Sequence, residues 1–226
     1  MVRAGAGVID VGGESTRPGA LPVDEKEEMR RVLPVVRELV HQVGSRARIS
    51  VDTTKRAVAE AALDAGATIL NDVSASLWPT AAEGHAGWVA MHMRGRPSDM
   101  MSLANYGDVV TEVREFLVDR AERAAQAGVA EIWVDPGLGF AKTTAHNLAI
   151  LAHLDDLVAT GWPVAVGVSR KRFTGAVGGG SEAAPAPDRL EASLAGAVWA
   201  MQCGAAMVRV HDVKATADAA KLVGVR

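Results

Sequence analysis

The sequence predicts an α/β protein, a (β/α)₈ barrel with about seven of its eight units present. Three observations lead there. Seven short apolar runs alternate with segments of helical periodicity, and no hairpin signal joins consecutive runs. Alternation of this kind gives a parallel sheet covered by helices. Second, the runs end in polar residues: Asp10, Asp52, Asn71, His92, Asp135, Lys171 and Arg209. An open doubly wound sheet gathers its ligand groups at one switch point. A barrel gathers them from many strand ends at one mouth. Third, the chain has 226 residues, near the typical barrel length of about 250 but one strand short. The expectation is therefore a barrel lacking its first unit upstream of Met1, with two open strand edges.

The elements follow in order. Val8-Ile9-Asp10-Val11 is the first buried strand and turns on Gly12 and Gly13. A polar loop, Glu14-Ser15-Thr16-Arg17-Pro18-Gly19, comes next. Residues 24–43 carry Met29, Val32, Leu33, Val36, Leu39, Val40 and Val43 at spacings of three and four, one apolar helical stripe. Pro34 should kink that helix or mark a late start. Residues 48–52 form a strand ending in Asp52. Thr53 or Thr54 is placed to cap a helix that runs to Ala65 and stops at Gly66. Residues 68–73 and 88–93 are the next two strands, and residues 94–105 a long polar loop.

A helix spans residues 109–127 and closes on Gly128. Residues 131–135 are the fifth strand, which delivers Asp135 to its tip and turns on Gly137 and Gly139. His146 opens a helix over residues 146–160, and Gly161 stops it. Residues 163–168 form a strand with Ser169-Arg170-Lys171-Arg172 at its tip. Residues 173–188, rich in Gly, Ala and Pro, read as a loop. A helix over 189–203, a last strand over 206–210 and a final helix over 212–223 complete one domain, residues 1–226.

Composition narrows the function. Hydrophobic content is 49% and charged content 23%, as in an ordinary globular protein. A net charge of −3 gives no bulk attraction to nucleic acid or an anionic membrane, so neither is an expected partner. The single cysteine, Cys203, rules out an intrachain disulfide. No apolar run approaches the roughly 20 residues of a membrane span, and the first residues lack a signal-peptide core. A cytoplasmic setting is expected. No H-E-x-x-H, paired-cysteine or Walker motif is present.

Three groups of residues carry possible chemistry. An ionised carboxylate at a strand tip can accept two parallel N–H bonds from a guanidine-like edge, as aminopyrimidines and pterins present. Asp135, Asp52 and Asn71 together suit such a flat heterocycle, although Asp135 alone could simply cap its loop. Ser169, Lys171, Arg209 and His211 form the second group. Alternation sends Arg209 and His211 to one side of the last strand, where they would clamp an anion. His211 could instead cap the final helix, and Arg170 and Arg172 read as a solvated pair. The third group is the loop of Thr16 and Arg17, either an exposed turn or a lid for an anionic substrate. His92 could line the mouth or pack inside. His41, His85 and His153 suit the surface, and the five tryptophans suit packing.

Seven stretches then add up to a resemblance. They are Val8-Ile9-Asp10-Val11-Gly12-Gly13-Glu14-Ser15-Thr16-Arg17-Pro18-Gly19, Ile49-Ser50-Val51-Asp52-Thr53, Asn71-Asp72-Val73-Ser74, Met91-His92-Met93, Asp135-Pro136-Gly137-Leu138-Gly139-Phe140, Gly167-Val168-Ser169-Arg170-Lys171 and Arg209-Val210-His211-Asp212-Val213. In this order they resemble the dihydropteroate synthases, the folate-pathway transferases that sulfonamides inhibit. The resemblance implies a TIM barrel joining 6-hydroxymethyl-7,8-dihydropterin diphosphate to p-aminobenzoate. It implies that Asp52, Asn71, Asp135 and Lys171 hold the pterin, with Met91 and Phe140 lining its slot. Arg209 and His211 would grip the diphosphate, and Thr16, Arg17 and Ser169 would border the p-aminobenzoate site. Asp52, Asp135, Lys171, Arg209 and His211 would carry the chemistry.

The resemblance also implies Mg²⁺ and a homodimer. The family's opening strand and its Asn-x-Thr-Pro-Asp-Ser-Phe loop, which supplies an asparagine for diphosphate and Mg²⁺, have no counterpart among these residues. Turnover by this polypeptide alone is therefore expected to be weak or absent, and an upstream strand and loop should restore it. Two other readings stay open. One is a pterin-binding paralogue or fragment without turnover. The other is a pterin-dependent methyltransferase domain, which has no need of the Ser-Arg-Lys and Arg-Val-His sites.

Overall fold

The computed structural model describes residues 1–176 and 185–224. Among them are seven strands: β1 Val8–Gly12, β2 Arg48–Asp52, β3 Ile69–Asp72, β4 Gly87–Met91, β5 Ile132–Asp135, β6 Ala165–Val166 and β7 Met207–Val208. All ladders are parallel, and β1 to β5 lie side by side in sequence order. β6 pairs with β7, and a single bridge from Val134 to Val164 ties this pair to β5. Strictly sequential order without a reversal is the winding of a barrel, since a doubly wound sheet must switch direction part-way. No ladder joins β7 to β1 among the described residues. What crosses that seam is Arg209, just past β7, whose Nε lies 2.6 Å from Asp10 of β1.

Nine α-helices surround the strands among the described residues: α1 Glu25–Val43, α2 Arg56–Asp64, α3 Trp78–Glu83, α4 Val109–Gln126, α5 Thr144–Ala152, α6 Leu154–Val158, α7 Arg172–Ala176, α8 Leu190–Gln202 and α9 Val213–Leu222. Asp24 caps α1 by accepting the Glu27 N–H at 3.0 Å, and three glutamates fill its first turn, where the helix dipole favours them. Pro34 sits inside α1, which is assigned as one helix from end to end. Gly66 and Gly128 stop α2 and α4 in the left-handed region, at φ 102° and 92°.

Several local expectations need correction. Lys55, not a threonine side chain, occupies the N-cap of α2, and Thr53 Oγ1 instead accepts the Lys55 N–H at 3.2 Å. The helix expected from His146 begins at Thr144 with Thr143 as cap. His146 is the third helical residue of a capping box, and the helix breaks at His153 into α5 and α6. α3, too short and too poor in apolar period to read, fills the interval between β3 and β4. The stretch expected as a loop over residues 173–188 begins inside α7, and residues 177–184 lie outside the described residues.

Strand alternation sorts the side chains. Ile9, Ile49, Val51, Leu70, Trp88, Ala90, Val134 and Val166 point outward and pack in one core with Val32, Val36, Leu117 and Leu154 of the helices. Ile69, Val89 and Ala165 point inward and cluster with Val8, Trp133 and Met207, the apolar floor of the barrel. The next inward positions up are Asp10, Asn71, Met91, Asp135, Gly167 and Arg209, joined by Asp52 from β2. The floor is apolar and the layer above it is polar, so the fold presents one ring of functional groups at the C-terminal ends of the strands.

Candidate active site

Each side chain of this ring is set by what lies behind it. On β3, Asn71 turns inward because Asp72 turns outward into a dense set of donors. Asp72 is fully buried. It accepts the N–H groups of Ser74 at 2.9 Å, Ser76 at 2.7 Å and Leu77 at 2.6 Å, and the indole N–H of Trp88 at 3.2 Å. That network fixes the loop after β3. Asn71 then donates to Asp10 Oδ2 at 3.0 Å, leaving its carbonyl oxygen for a ligand.

Asp135 accepts the Gly137 N–H at 2.7 Å through Oδ1, so the loop-capping reading of this residue holds for one oxygen. Its other oxygen makes no hydrogen bond with the described residues and faces the cleft. Gly137 has φ +64°, and a Cβ there would stand 2.0 Å from the His92 carbonyl oxygen. Only glycine fits this seam between the loops after β4 and β5. Gly139, at φ +81°, lies beneath the Lys171 stem. The Lys171 ammonium stands 4.2 Å from the centre of the Phe140 ring, a cation–π contact.

One cleft of about 340 Å³, open to solvent, joins these groups; Thr16, Asp52, Asn71, Met91, Asp135, Phe140, Lys171 and Arg209 all line it. Eight of the eleven residues singled out from sequence therefore meet in one place. Val73, Leu138, Gly137 and Gly167 complete the wall. Ser169 and His211 lie outside this lining and pair with each other, Nδ1 to Oγ, at 3.0 Å. Ser169 Oγ also accepts the His211 N–H at 3.2 Å. His211 does not cap α9, whose N-cap is Asp212. Arg17 is exposed, its N–H reaching Ser15 Oγ at 3.5 Å. Arg170 is exposed, as its solvated reading has it, and also pairs with Asp212 at 2.8 and 3.2 Å. His92 packs behind the mouth, buried against Phe116 and Tyr106. Trp199 is half exposed rather than packed, although its indole donates to the Leu151 carbonyl.

The charges of the ring perturb one another. Burial, and then the Asp10 carboxylate, push Asp52 up to about 7, against the pull of Arg209 and Lys171. Burial also raises Asp135, opposed by the Gly137 N–H, Lys171 and Arg209. Lys171 is pushed down to about 8 by burial, with Asp135 holding it up. His211 is lowered by burial and by the Arg170 and Arg209 guanidiniums. Arg209 bridges Asp10 at 2.6 Å and Asp52 at 3.3 Å, one cation shared by two carboxylates. The arrangement offers acceptors and an amide to a flat polar ring, an aromatic wall and a lysine beside it, and cations at the rim for an anion. Perturbed ionisations gathered in a cleft make it a candidate functional site.

Sequence reasoning named Asp10 as a strand end but gave it no role. It is the hub that holds both Asn71 and Arg209, and its Oδ1 is buried without a partner among the described residues. Alternation along β1 was the signal that could have found it. Two supports were missed altogether. Lys55 binds Glu14 and the fully buried Glu28, the latter at 2.6 Å, and so fastens the base of the loop that carries Thr16 and Arg17. Lys142 is buried behind the turn after β5. Neither position lies on a strand end, and each binds a partner far off in sequence, Glu28 for Lys55 and His92 for Lys142.

The sequence pattern of the family described as "Pterin binding enzyme" matches residues 1–211. The dihydropteroate synthase of Mycobacterium leprae is 47% identical over 234 aligned positions, covering 99% of this chain and 81% of that protein. The crystal structure of Thermus thermophilus dihydropteroate synthase in complex with 4-aminobenzoate superposes with a TM-score of 0.91 at 43% identity, over 98% of this chain and 85% of that one. The Xanthomonas albilineans dihydropteroate synthase in complex with 7,8-dihydropteroate gives a TM-score of 0.85 at 40% identity, over 97% of this chain and 79% of that one.

Proposed function

The chain belongs to the dihydropteroate synthases, transferases that condense 6-hydroxymethyl-7,8-dihydropterin diphosphate with p-aminobenzoate to give 7,8-dihydropteroate and diphosphate, and from that premise we propose how its own residues divide the work. One observation carries the assignment: Asp52, Asn71 and Asp135 stand in one inward layer around a single cleft, with Lys171 over Phe140 beside them. Asp135 and Asp52 accept N–H bonds from the pterin's guanidine-like edge, and the Asn71 carbonyl accepts a third. Met91 and Phe140 form the walls of the slot, and Lys171 donates to the ring's acceptor edge. Arg209 and His211 hold the diphosphate. Thr16 and Arg17 close over p-aminobenzoate, which Ser169 borders.

The p-aminobenzoate nitrogen attacks the pterin methylene as the carbon–oxygen bond to diphosphate breaks. The departing oxygen keeps the bonding electrons, and the nitrogen sheds its proton to solvent. Positive charge that develops on the pterin as the bond stretches is met by Asp135 and Asp52, carboxylates fixed at the strand ends. Negative charge on the leaving group is met by Arg209, and by His211 as the anion draws a proton onto it. Holding the two reactants in line removes much of the entropic cost of a bimolecular step. No protein nucleophile takes part.

Magnesium belongs with the family resemblance, yet the residues present do not make its site. The anion end offers a guanidinium, an imidazole and a hydroxyl, and Asp10 is committed to Asn71 and Arg209. No group of three or more His, Cys, Asp or Glu suited to a metal occurs among the described residues. We read the chain as one catalytic domain acting in the cytoplasm as a homodimer. No described helix is long and apolar enough to cross a membrane. The exposed Trp199 and Leu148, on neighbouring helices α8 and α5, favour self-association.

The test is diphosphate release from pterin diphosphate in the presence and absence of p-aminobenzoate, with calorimetric binding of each ligand. Binding and p-aminobenzoate-dependent release support the assignment. Failure of the folded wild-type chain to bind pterin diphosphate at millimolar concentration would sink it.

A further inference from the structure

We propose that Lys142 is a positioning residue for the pterin slot: its ammonium clamps the turn after β5 to the loop after β4 and so holds Asp135 and Phe140 in their binding geometry. The proposal rests on the reading that those two residues hold the pterin. Lys142 is 3% exposed, and its side chain ends in the seam between the two loops. Its Nζ lies 3.3 Å from the His92 carbonyl oxygen, 3.2 Å from that of Gly137, 3.1 Å from that of Phe140 and 2.9 Å from His92 Nδ1. Four acceptors for three N–H donors means that one donor is shared.

Buried ammonium groups are held when paired with a carboxylate. Lys142 forms no ion pair among the described residues, and its hydrogen-bond partners are uncharged. An amine held by three main-chain oxygens therefore serves the backbone that supplies them. Two of these oxygens bracket the turn of residues 137–140, which is closed by the Phe140 N–H donating to the Gly137 carbonyl at 3.0 Å. The third belongs to His92, the residue after Met91 of the slot. From the same turn the Gly137 N–H fixes Asp135 Oδ1 at 2.7 Å. One ammonium thus ties the carbonyls of His92, Gly137 and Phe140 together, and holds Met91 and Asp135 through these neighbours.

The ionisations agree with this geometry. Burial, with Lys142 and Arg94 adding to it, pushes His92 down to about 3, which keeps the ring neutral so that one of its nitrogens can accept. Burial lowers Lys142 to about 7, and Asp135 supplies the main opposing pull.

Calorimetric titration with pterin diphosphate and, separately, with inorganic diphosphate tests the proposal on wild type, Lys142→Met and Lys142→Gln. Inorganic diphosphate reports Arg209 and His211, whose hydrogen bonds among the described residues run to Asp10, Asp52 and Ser169 and not to the seam. Lys142→Met should weaken pterin diphosphate about 30-fold by leaving the carbonyls unpaired and the slot unordered. Affinity for inorganic diphosphate should stay within about twofold. Lys142→Gln keeps N–H donors without the charge and should recover part of the loss. Unchanged pterin affinity in Lys142→Met, equal weakening of both ligands, or failure of both variants to fold each overturns the proposal. Wild type that binds no pterin diphosphate overturns the underlying assignment instead.

Discussion

Asp135→Asn separates recognition from folding. The substitution keeps the shape, and the amide oxygen can still accept the Gly137 N–H that Asp135 Oδ1 accepts at 2.7 Å, so the turn is preserved. The second oxygen becomes an NH₂ group. It then faces the donor edge of the pterin with a donor, and a charge-assisted hydrogen bond becomes a clash of two N–H groups. A hydrogen bond to a charged group contributes about 1.5–3 kcal/mol, and an unsatisfied buried partner costs about 1–3 kcal/mol more. A loss of about 3–5 kcal/mol corresponds to roughly 150-fold to 4,000-fold in affinity. Stability should move the other way. Burial raises Asp135 above its unfolded value, so its contribution to stability is fully present below the unfolded pKa and is lost as pH rises through the folded one. Asparagine carries no such dependence. The variant should therefore equal or exceed wild type in urea unfolding at pH 8, and its advantage should shrink at pH 4. Calorimetry with pterin diphosphate and urea titrations at the two pH values are sufficient. Near-wild-type affinity, or a fall in stability of several kcal/mol, would refute the recognition role and leave Asp135 as a loop cap.

Three further outcomes follow from the same network. Asp52, raised to about 7 chiefly by burial and by Asp10, must ionise to accept the pterin edge, so affinity for pterin diphosphate should rise between pH 6 and 8. That limb should vanish in Asp52→Asn, and a pH-independent affinity in wild type would contradict it. Arg209→Met removes the cation shared by Asp10 and Asp52. It should abolish measurable binding of inorganic diphosphate and move the Asp52 limb to higher pH, as ligand titrations across pH would show. Lys55→Met leaves the fully buried Glu28 without its counter-charge, which should cost about 3–5 kcal/mol in urea unfolding. The double variant with Glu28→Leu should recover most of that, and a loss under about 1 kcal/mol in the single variant would show the triad to be incidental.

Much of the site could be read from the chain because it is built from strand ends. A parallel strand buried on both faces announces itself as a short apolar run, and its last polar residue marks the mouth of the barrel. Asp52, Asn71, Asp135 and Arg209 were legible for this reason. Lys171 was legible because its strand is followed at once by a basic run. Phe140 and Met91 are apolar, so only the resemblance assigned them to the slot. His92 was undecidable, since a histidine after two more apolar residues gives no parity until the register is known. The ladder settles it: Met91 stands opposite Asp135, both inward, so the next residue turns away.

What stayed hidden is the layer that holds the ring in place, and the reason is physical. Asp10, Lys55 and Lys142 act through partners 61, 27 and 50 residues away, in Asn71, Glu28 and His92. Local periodicity has no access to separations of that length. The same distances explain why the supports are charged. A hydrophobic contact would hold two loops together without fixing their register. An ammonium with three directional donors, or a carboxylate hub joining an amide to a guanidinium, accepts only one arrangement. Asp10 shows the cost of that choice. Its Oδ1 is buried and unpartnered among the described residues while its Oδ2 holds both Asn71 and Arg209, so the ring keeps an unmet acceptor beside its cation. Arg209 gives Asp10 its Nε and Asp52 its Nη2, and its half-exposed guanidinium keeps further donors for diphosphate. Asp10 thereby ties the cation at the rim to the amide of Asn71 in one arrangement.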